Sequence, residues 1–254
     1  MRIELAALAG AALLFSGSVA AQGHPDLSGY WGPVFEQGEP DPVLVAELPD
    51  GTALLDDVGA KEFKAGEFGG LKPKPDALAK AEAWDPLDDM TLARVCHAPG
   101  TIYGMQGPFP FEIFQGRDMI VLKLEYFDQV RIVFMDGRDR PADDAPHSTV
   151  GFSLGHWDGD QLVVETSHLS ASTITNNGLD HSDDVKLVER FRLSEDGQSL
   201  YQSQWFSDPE TLENDGARVI RWQKGGADAH VYPYECDPTF ALEYAAMQEA
   251  AASE

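Results

Sequence analysis

The stretch GFSLGHWDGDQLVVETSH, residues 151–168, predicts the fold of this chain most directly. It has the pattern of two strands around the turn Asp158-Gly159-Asp160, with residues 152–157 leading in and residues 162–167 leading out. An Asp-Gly pair between apolar runs is a strong hairpin signal, because glycine adopts a positive φ without steric cost. We therefore predict a β-hairpin here.

The register of this hairpin depends on the length of its turn, and two registers are open. A three-residue turn pairs His156 with Leu162 and places His156 and Glu165 on opposite faces. A two-residue turn places both on one face, because a slip of one residue reverses every side chain. Glu165, inside the run Leu-Val-Val-Glu-Thr, either faces water or has a partner, since burying an unpaired charge is costly.

Repeated short strands follow from residue 109 and predict a mainly β protein. Residues 119–125 and 186–193 show the apolar–polar alternation of half-buried strands. Eight or so strands in up-and-down order favour a closed antiparallel β-barrel of lipocalin-like shape, because closure removes unpaired edges. A flattened sandwich is the alternative. The predicted strands are 109–115, 118–126, 129–135, 148–157, 161–168, 185–194, 198–206 and 217–223.

The two ends of the mature chain differ from this pattern. Residues 22–108 read as an irregular N-terminal arm packed on a barrel domain at 109–236. Within the arm we predict short strands at 26–31 and 43–48 and a helix at 76–84, capped by Asp76. The segment 237–254 predicts a C-terminal helix, with Thr239 as its cap, that closes one end of the barrel.

The first 21 residues have the pattern of a secretory signal peptide. Arg2 gives a positive end, residues 5–14 form an apolar core, and the small residues at 18–21 suit cleavage. A membrane anchor is the alternative, but the apolar run is short for a span. We therefore expect a periplasmic or secreted protein without membrane insertion after cleavage.

Charge and cysteine content narrow the function classes further. The net charge is −25, from 43 acidic and 18 basic residues. Nucleic acids and anionic membrane surfaces require basic patches, so neither is an expected partner. Cys96 and Cys236 are the only cysteines and predict one disulfide in an exported protein. The alternative is a reactive or metal-binding Cys96 beside His97.

The hairpin stretch also carries a resemblance. GFSLGHWDGDQLVVET resembles the G-H-S-x-G-x-W-[DE]-G-D-x-L-V-V-[DE]-T segment of a large family of secreted bacterial proteins of lipocalin-like appearance. The chain departs from that family at Phe152 and at Asp237-Pro238-Thr239-Phe240, where the family often has His and His-Glu-Gly-Asn-Tyr. The resemblance implies a fold and a compartment rather than a reaction. Further matching pieces are residues 26–31, 110–113, 135–138, 181–182, 189–191 and 208–209.

Candidate catalytic residues are the polar side chains within or beside strand runs. His156 is the candidate acid or base, because an imidazole titrates near neutral pH. Glu165 would orient it or act as a second base, and Arg131 or Arg138 would stabilise developing negative charge. His181 would enter from a lid at 170–180. The structural alternatives are a surface histidine, a cross-strand pair of Glu165 with an arginine, and a local Arg138–Asp136 pair.

Substrate-binding candidates are one acidic and three aromatic side chains: Glu112, Tyr126, Trp157 and Tyr30. The sequence has no Gly-X-Ser-X-Gly motif, which gives a Ser-His-Asp hydrolase of that type little support. It also has no HExxH zinc motif and no glycine-rich nucleotide loop after a strand, and we expect chemistry without a cofactor or metal. The leading hypothesis is an enzyme, a lyase, dehydratase or isomerase, acting on a small hydrophobic or aromatic molecule. The alternatives are a non-catalytic small-molecule-binding protein of the cell envelope and a structural envelope protein with a filled core.

Overall fold

Nine strands close into a β-barrel in the computed structural model of the chain, which describes residues 23–252. The barrel order is β1-β3-β4-β5-β6-β7-β10-β11-β12, and β12 pairs again with β1. The predicted mainly β barrel is therefore confirmed. The strands are β1 (Gly29–Pro33), β2 (Ala53–Leu54), β3 (Phe111–Gln115), β4 (Met119–Leu124), β5 (Val130–Phe134), β6 (Phe152–Asp158), β7 (Gln161–Ser167), β8 (Ser172–Thr175), β9 (Leu179–His181), β10 (Lys186–Leu193), β11 (Ser199–Ser207) and β12 (Gly216–Lys224).

The barrel is mixed rather than purely antiparallel, which corrects the predicted up-and-down topology. β5 and β6 run parallel, paired at Val133–Ser153 and Phe134–Leu154, whereas the other neighbours around the barrel are antiparallel. Parallel neighbours need a crossover, and the long segment 135–151 supplies it here. The lengths of the strands and the residues at the turns do not indicate whether the strand after such a long segment runs parallel or antiparallel to its neighbour.

The N-terminal region is part of the barrel and not only an arm upon it. β1 lies between β3 and β12, so that Trp31 is the register partner of both Phe111 and Lys224. The two-residue β2 pairs in parallel with Gly216 and Ala217 at the start of β12, on the edge that β1 also uses at the end of that strand. The barrel thus begins well before residue 109, because its closing strand comes from the predicted arm.

Three short helices replace some of the expected elements of this region: α1 (Pro42–Ala46), α2 (Pro75–Glu82) and α3 (Thr101–Gly104). The strand expected at 43–48 is wrong, because Asp41 caps α1 by accepting hydrogen bonds from the N–H groups of Val43 and Leu44. The helix expected at 76–84 is present as α2, but Lys74 occupies its N-cap position and Asp76 lies in the first turn.

The predicted lid at 170–180 is instead a small hairpin of β8 and β9. Its apolar side chains Ile174 and Leu179 are fully buried, in a cluster with Ile102, Leu187 and Phe206. Burial of this kind stabilises the hairpin against the end of the barrel. The polar residues of the segment obscured this packing in the sequence.

Buried side chains fill the barrel interior. An apolar cluster surrounds the fully buried Trp31 and Trp222, with Phe111 edge-on to Trp222 at 4.8 Å between ring centroids. A polar layer follows along the barrel, built on Arg131, Glu189 and Gln202. A packed interior is usual for a barrel of this size.

The C-terminal helix α4 (Phe240–Ala252) follows the Cys96–Cys236 disulfide. The predicted disulfide is confirmed. α4 does not plug the barrel as expected: Phe240, Leu242 and Met247 are all more than 45% exposed. Among the described residues, no helix combines the length and the apolar character that crossing a membrane requires. The predicted signal segment lies outside the described residues.

Candidate functional site

The hairpin of β6 and β7 has a two-residue turn, because Asp158 pairs with Gln161 across Gly159-Asp160. His156 therefore pairs with Val163, and Leu154 pairs with Glu165. His156 and Glu165 lie together on the outer face of the barrel and are both exposed. Of the two registers left open by the sequence, the structure has the one that puts these two side chains on one face, but this face points away from the interior.

Arg131 lies on the opposite side of the barrel wall from those two residues. It is 1% exposed and forms an ion pair with Glu189, with Nη1 donating to Oε1 at 3.2 Å. Glu189 also accepts a hydrogen bond from Gln202 at 2.8 Å. Thr166 joins the same network through the Arg131 guanidinium and through Ser153, whose hydroxyl lies 2.9 Å from that of Thr166. These interior polar groups form a connected, buried layer.

The remaining predicted site residues are dispersed. Arg138 forms a local ion pair with Asp136 and stacks on Phe134, as in the structural alternative. Tyr30 and Glu112 are register partners on β1 and β3, and burial raises the pKa of Tyr30. Trp157 stacks on His24, with the ring centroids 4.8 Å apart. The predicted residues therefore do not form one site.

Tyr126, by contrast, lies in a large cleft that we call the aromatic cleft. The cleft has a volume of about 970 Å³ and lies outside the barrel interior, between the α2 region, the β8–β9 hairpin and the segment around Cys236. Its aromatic lining residues are Trp84, Tyr103, Tyr126, Phe127, Tyr234 and Phe240. Pockets of roughly 300–1,000 Å³ with aromatic walls are typical of small-molecule sites.

The aromatic side chains of the cleft contact one another closely. Tyr126 stacks on Phe109 with ring centroids 4.4 Å apart, and Tyr234 packs on Phe127 at 4.6 Å. Burial, followed by the nearby Tyr234 and Glu62, raises the pKa of Tyr126 to about 12. Burial raises the pKa of Tyr103 as well, and its hydroxyl donates to Glu62 at 3.2 Å. Both phenols are therefore protonated at neutral pH.

His181 is buried behind the floor of this cleft, which the β8 residue Ser172 helps to line. It is 1% exposed, and its Nδ1 lies 2.7 Å from the backbone oxygen of Ser182. Within residues 23–252 its Nε2 atom has no hydrogen-bond partner. Burial is the main cause that lowers the pKa of His181, against smaller opposing effects from Ser182, Asp208 and Asp180. The imidazole is therefore neutral at neutral pH.

A second concavity, which we call the outer groove, lies over the exposed side of β6, β7, β10 and β11. It has a volume of about 600 Å³ and contains Glu165, His147 and His168. His168 has a positive φ of 56°, and its ring lies within 3 Å of Ser167 Oγ and of the backbone oxygen of Ala142. His147 Nδ1 in turn lies 3.0 Å from the backbone oxygen of Leu169. These contacts attach the 140–147 loop to the barrel, which gives both histidines a structural role.

Comparison with protein-family models, with curated proteins and with solved structures finds no significant match to this chain. The resemblance of the hairpin stretch to a secreted bacterial family therefore stays a prediction. What the fold and the site define is a class: a closed, mixed nine-stranded β-barrel with a filled interior and an aromatic cleft at its side.

Several cleft residues were not identified from the sequence, among them Trp84, Tyr103 and Tyr234. They lie far apart along the chain, in segments without strand periodicity. One signal was available: Cys96 and Cys236 were predicted to be joined, and the segments next to these two cysteines form part of the cleft. Residues near a predicted disulfide could have been grouped on that basis.

Proposed function

We propose that this protein binds a small hydrophobic or aromatic molecule in the aromatic cleft. The observation that supports the proposal is the cleft itself, with a volume of about 970 Å³ and six aromatic lining residues, which include Tyr126 and Tyr234. Aromatic side chains offer a large apolar contact area and favour flat ligands by stacking and edge contacts. The protonated phenol of Tyr126 would donate a hydrogen bond to a polar group of that ligand.

The proposed place of action is the cell envelope or the medium outside it. The signal-like pattern of residues 1–21 and the Cys96–Cys236 disulfide support this, because disulfides persist in oxidising compartments. The acidic composition, with a net charge of −25, favours a neutral or cationic ligand over an anionic one.

Binding in the cleft is tested by titration with a neutral fluorescent aromatic amine, N-phenylnaphthylamine. Tyr234→Ala removes a cleft ring that contacts Phe127 and Tyr126 and should weaken binding about three- to tenfold, the value of one aromatic contact. The matched control is Tyr232→Ala, two residues away, whose ring is 62% exposed and lies outside the cleft lining. Equal affinities of both variants and the parent protein would contradict the proposal.

Native mass spectrometry of the protein purified from an oxidising periplasm tests which natural ligand it carries. An organic mass that disappears on denaturation, and that the aromatic dye displaces, identifies the ligand class. A bound mass that the dye does not displace would place the ligand elsewhere and contradict the cleft as the site.

Cofactor-free acid–base chemistry, as in a lyase, dehydratase or isomerase, is the second candidate function. The observation that favours it is the neutral imidazole of His181, whose Nε2 is unpartnered within the described chain and lies behind the cleft floor. His156 and Glu165 stay candidates for such chemistry on the outer face. The variant His156→Ala distinguishes the outer face from the aromatic cleft as the place of reaction. Loss of turnover in this variant would assign the reaction to the outer face, whereas unchanged turnover would favour the cleft.

A further inference from the structure

We propose that Ser172 is a nucleophile and His181 its general base, forming an acyl-transfer site for small carboxylic esters at the floor of the aromatic cleft. The proposal rests on the proposed function, since the ester must first bind in this cleft. It adds a reaction class and the nucleophile Ser172, and it assigns the role of general base to His181, which the sequence already offered as a catalytic candidate.

The topology of the β8–β9 hairpin brings the two side chains together. Ser172 and His181 are register partners across this hairpin, and such partners have side chains on the same face with Cβ atoms about 4.5–5.5 Å apart. Both side chains also approach Gly100: a Cβ atom there would lie 3.0 Å from Ser172 Oγ and 3.6 Å from His181 Nε2. Ser172 lines the cleft, whereas His181 is buried behind it.

The imidazole of His181 is in the tautomer that a general base requires. Nδ1 lies 2.7 Å from the backbone carbonyl oxygen of Ser182. Because a carbonyl oxygen can only accept a hydrogen bond, Nδ1 carries the proton. Nε2 therefore holds a lone pair, and within residues 23–252 no donor uses it. Buried polar atoms without partners are uncommon in native proteins, which makes this one informative.

The hydroxyl of Ser172 is available to that lone pair. Its oxygen accepts a hydrogen bond from the Gly100 N–H at 2.8 Å, which leaves the hydroxyl proton to be donated. A side chain at Gly100 would displace this arrangement, because its Cβ would lie 2.8 Å from Ser172 Cβ. Nucleophile–base hydrogen bonds are often long without substrate and shorten when it binds. We therefore place the hydrogen bond from Ser172 to His181 Nε2 in the substrate complex.

The proposed reaction consumes one ester and one water molecule and releases one alcohol and one carboxylic acid. Ser172 Oγ attacks the ester carbonyl carbon while its proton moves to His181 Nε2, and the carbon–oxygen bond to the alcohol then breaks as Nε2 returns that proton to the leaving alcohol. Water next attacks the acyl-serine with Nε2 as base, which releases the acid and restores both residues.

Covalent labelling with an alkyl fluorophosphonate tests the assignment directly. We expect one adduct, located on Ser172 by peptide mass mapping, in the parent protein. Ser172→Ala should abolish labelling, and His181→Gln should slow it at least 100-fold, the usual effect of a lost general base. The control is Ser170→Ala, a serine just before β8 that stays outside the proposed pair and should label as the parent protein does.

The pH profile of labelling separates a base from a merely structural histidine. Charged groups around His181 are Asp180, which pairs with Lys80, and Asp208. Despite them, burial lowers the pKa of His181 from its ordinary value of 6.5. The labelling rate should therefore rise with pH and reach its plateau near or below pH 6.5. A rate that keeps rising above that value would overturn the role of His181.

The outcomes distinguish this proposal from the cleft-binding function. If the aromatic dye binds in the cleft but Ser172 takes no fluorophosphonate, the nucleophile is wrong and the binding function stands. If the folded protein neither binds the dye nor is labelled by the fluorophosphonate, both proposals fail. An adduct on another residue also overturns the assignment, and this mapping uses the parent protein, so that it does not depend on the folding of any variant.

Discussion

Arg131 and Glu189 form a buried ion pair in the barrel interior, with exposures of 1% and 0%. Removing one partner of a buried pair leaves the other charge without compensation, at a cost of about 3–5 kcal/mol. We therefore expect Glu189→Gln to lower the free energy of unfolding by that amount in urea denaturation. The double variant Arg131→Met/Glu189→Leu should regain most of the loss, because it removes both charges.

The control for this prediction is an exposed pair on the same barrel. Asp158→Asn breaks the contact of Asp158 with Arg190 at 3.0 Å, where the Asp158 side chain is 63% exposed. We expect a change of at most about 1 kcal/mol, since solvent screens exposed pairs. Equal losses for Glu189→Gln and Asp158→Asn would show that the interior pair is not desolvated.

His181 makes stability depend on pH near neutrality. Burial lowers its pKa in the folded protein, whereas the unfolded chain binds the proton at the ordinary value of 6.5. The unfolded state thus binds more protons, so this contribution is complete above pH 6.5 and is lost as pH falls below it. We expect the urea midpoint to decrease between pH 7.5 and pH 5.5.

The variant His181→Gln should lose most of this decrease, because glutamine does not titrate. His230→Gln, at an exposed histidine, should retain the decrease of the parent protein. A parent protein that unfolds at the same urea concentration throughout this pH range would contradict the neutral, buried state of His181.

Gly155 lies where the hairpin motif packs closely against its neighbours in the barrel wall. A Cβ atom at this position would lie 2.6 Å from Val133 Cγ1 and would also overlap Met135 Sδ. Ser153 and Thr166 of the same motif belong to the interior polar layer, and Trp157 packs against the apolar cluster. The motif residues in this chain therefore explain why the barrel wall packs closely, and they supply no cleft residue.

Among the elements, β1 decides whether the barrel closes. It hydrogen-bonds to both β3 and β12, and its Trp31 is fully buried with Nε1 donating to Leu27 O at 2.9 Å. Removing a buried tryptophan costs about 3–5 kcal/mol. We expect Trp31→Ala to lose that much stability in urea denaturation, far more than Phe35→Ala, whose ring is 63% exposed. Similar losses for both would mean that β1 does not close the barrel in solution.

The β8–β9 hairpin is the element on which sequence reasoning failed most clearly. Its residues are mainly small and polar, which is typical of a surface loop. Burial of Ile174 and Leu179 against apolar side chains from distant segments outweighs that local preference. The same reversal applies to α1, where one capping aspartate outweighs the strand preference of the valines that follow.

The Cys96–Cys236 disulfide constrains the chain over a long range. Cys96 and Cys236 are 140 residues apart, and the loop-entropy relation gives about 5 kcal/mol for closing such a loop. The bond also holds together two walls of the aromatic cleft. We expect Cys96→Ser/Cys236→Ser to lower the free energy of unfolding by several kcal/mol and to weaken binding of the aromatic dye.

Reduction of the parent protein provides the matched comparison for this variant. Dithiothreitol should shift the urea midpoint of the parent protein to that of the double-serine variant and leave the variant unchanged. A double-serine variant with the stability and dye affinity of the parent protein would contradict both roles of the bond.

Local sequence patterns were sufficient to predict the mainly β class, the order of most barrel strands and the Cys96–Cys236 bond. These follow from local alternation, from turn residues and from the count of two cysteines, all of which act over short distances or leave no alternative partner. Such features can be predicted from one sequence, without an alignment of related sequences.

Local patterns do not predict which polar residues share a site, because that depends on contacts between distant segments. One residue of turn length sets the face of His156 and Glu165, a crossover sets the direction of β6, and the closing strand β1 comes from a distant segment. The cleft collects side chains from residue 80 to residue 240. Its assembly depends on long-range packing, whose free energy is summed over many weak contacts that no short stretch of sequence encodes.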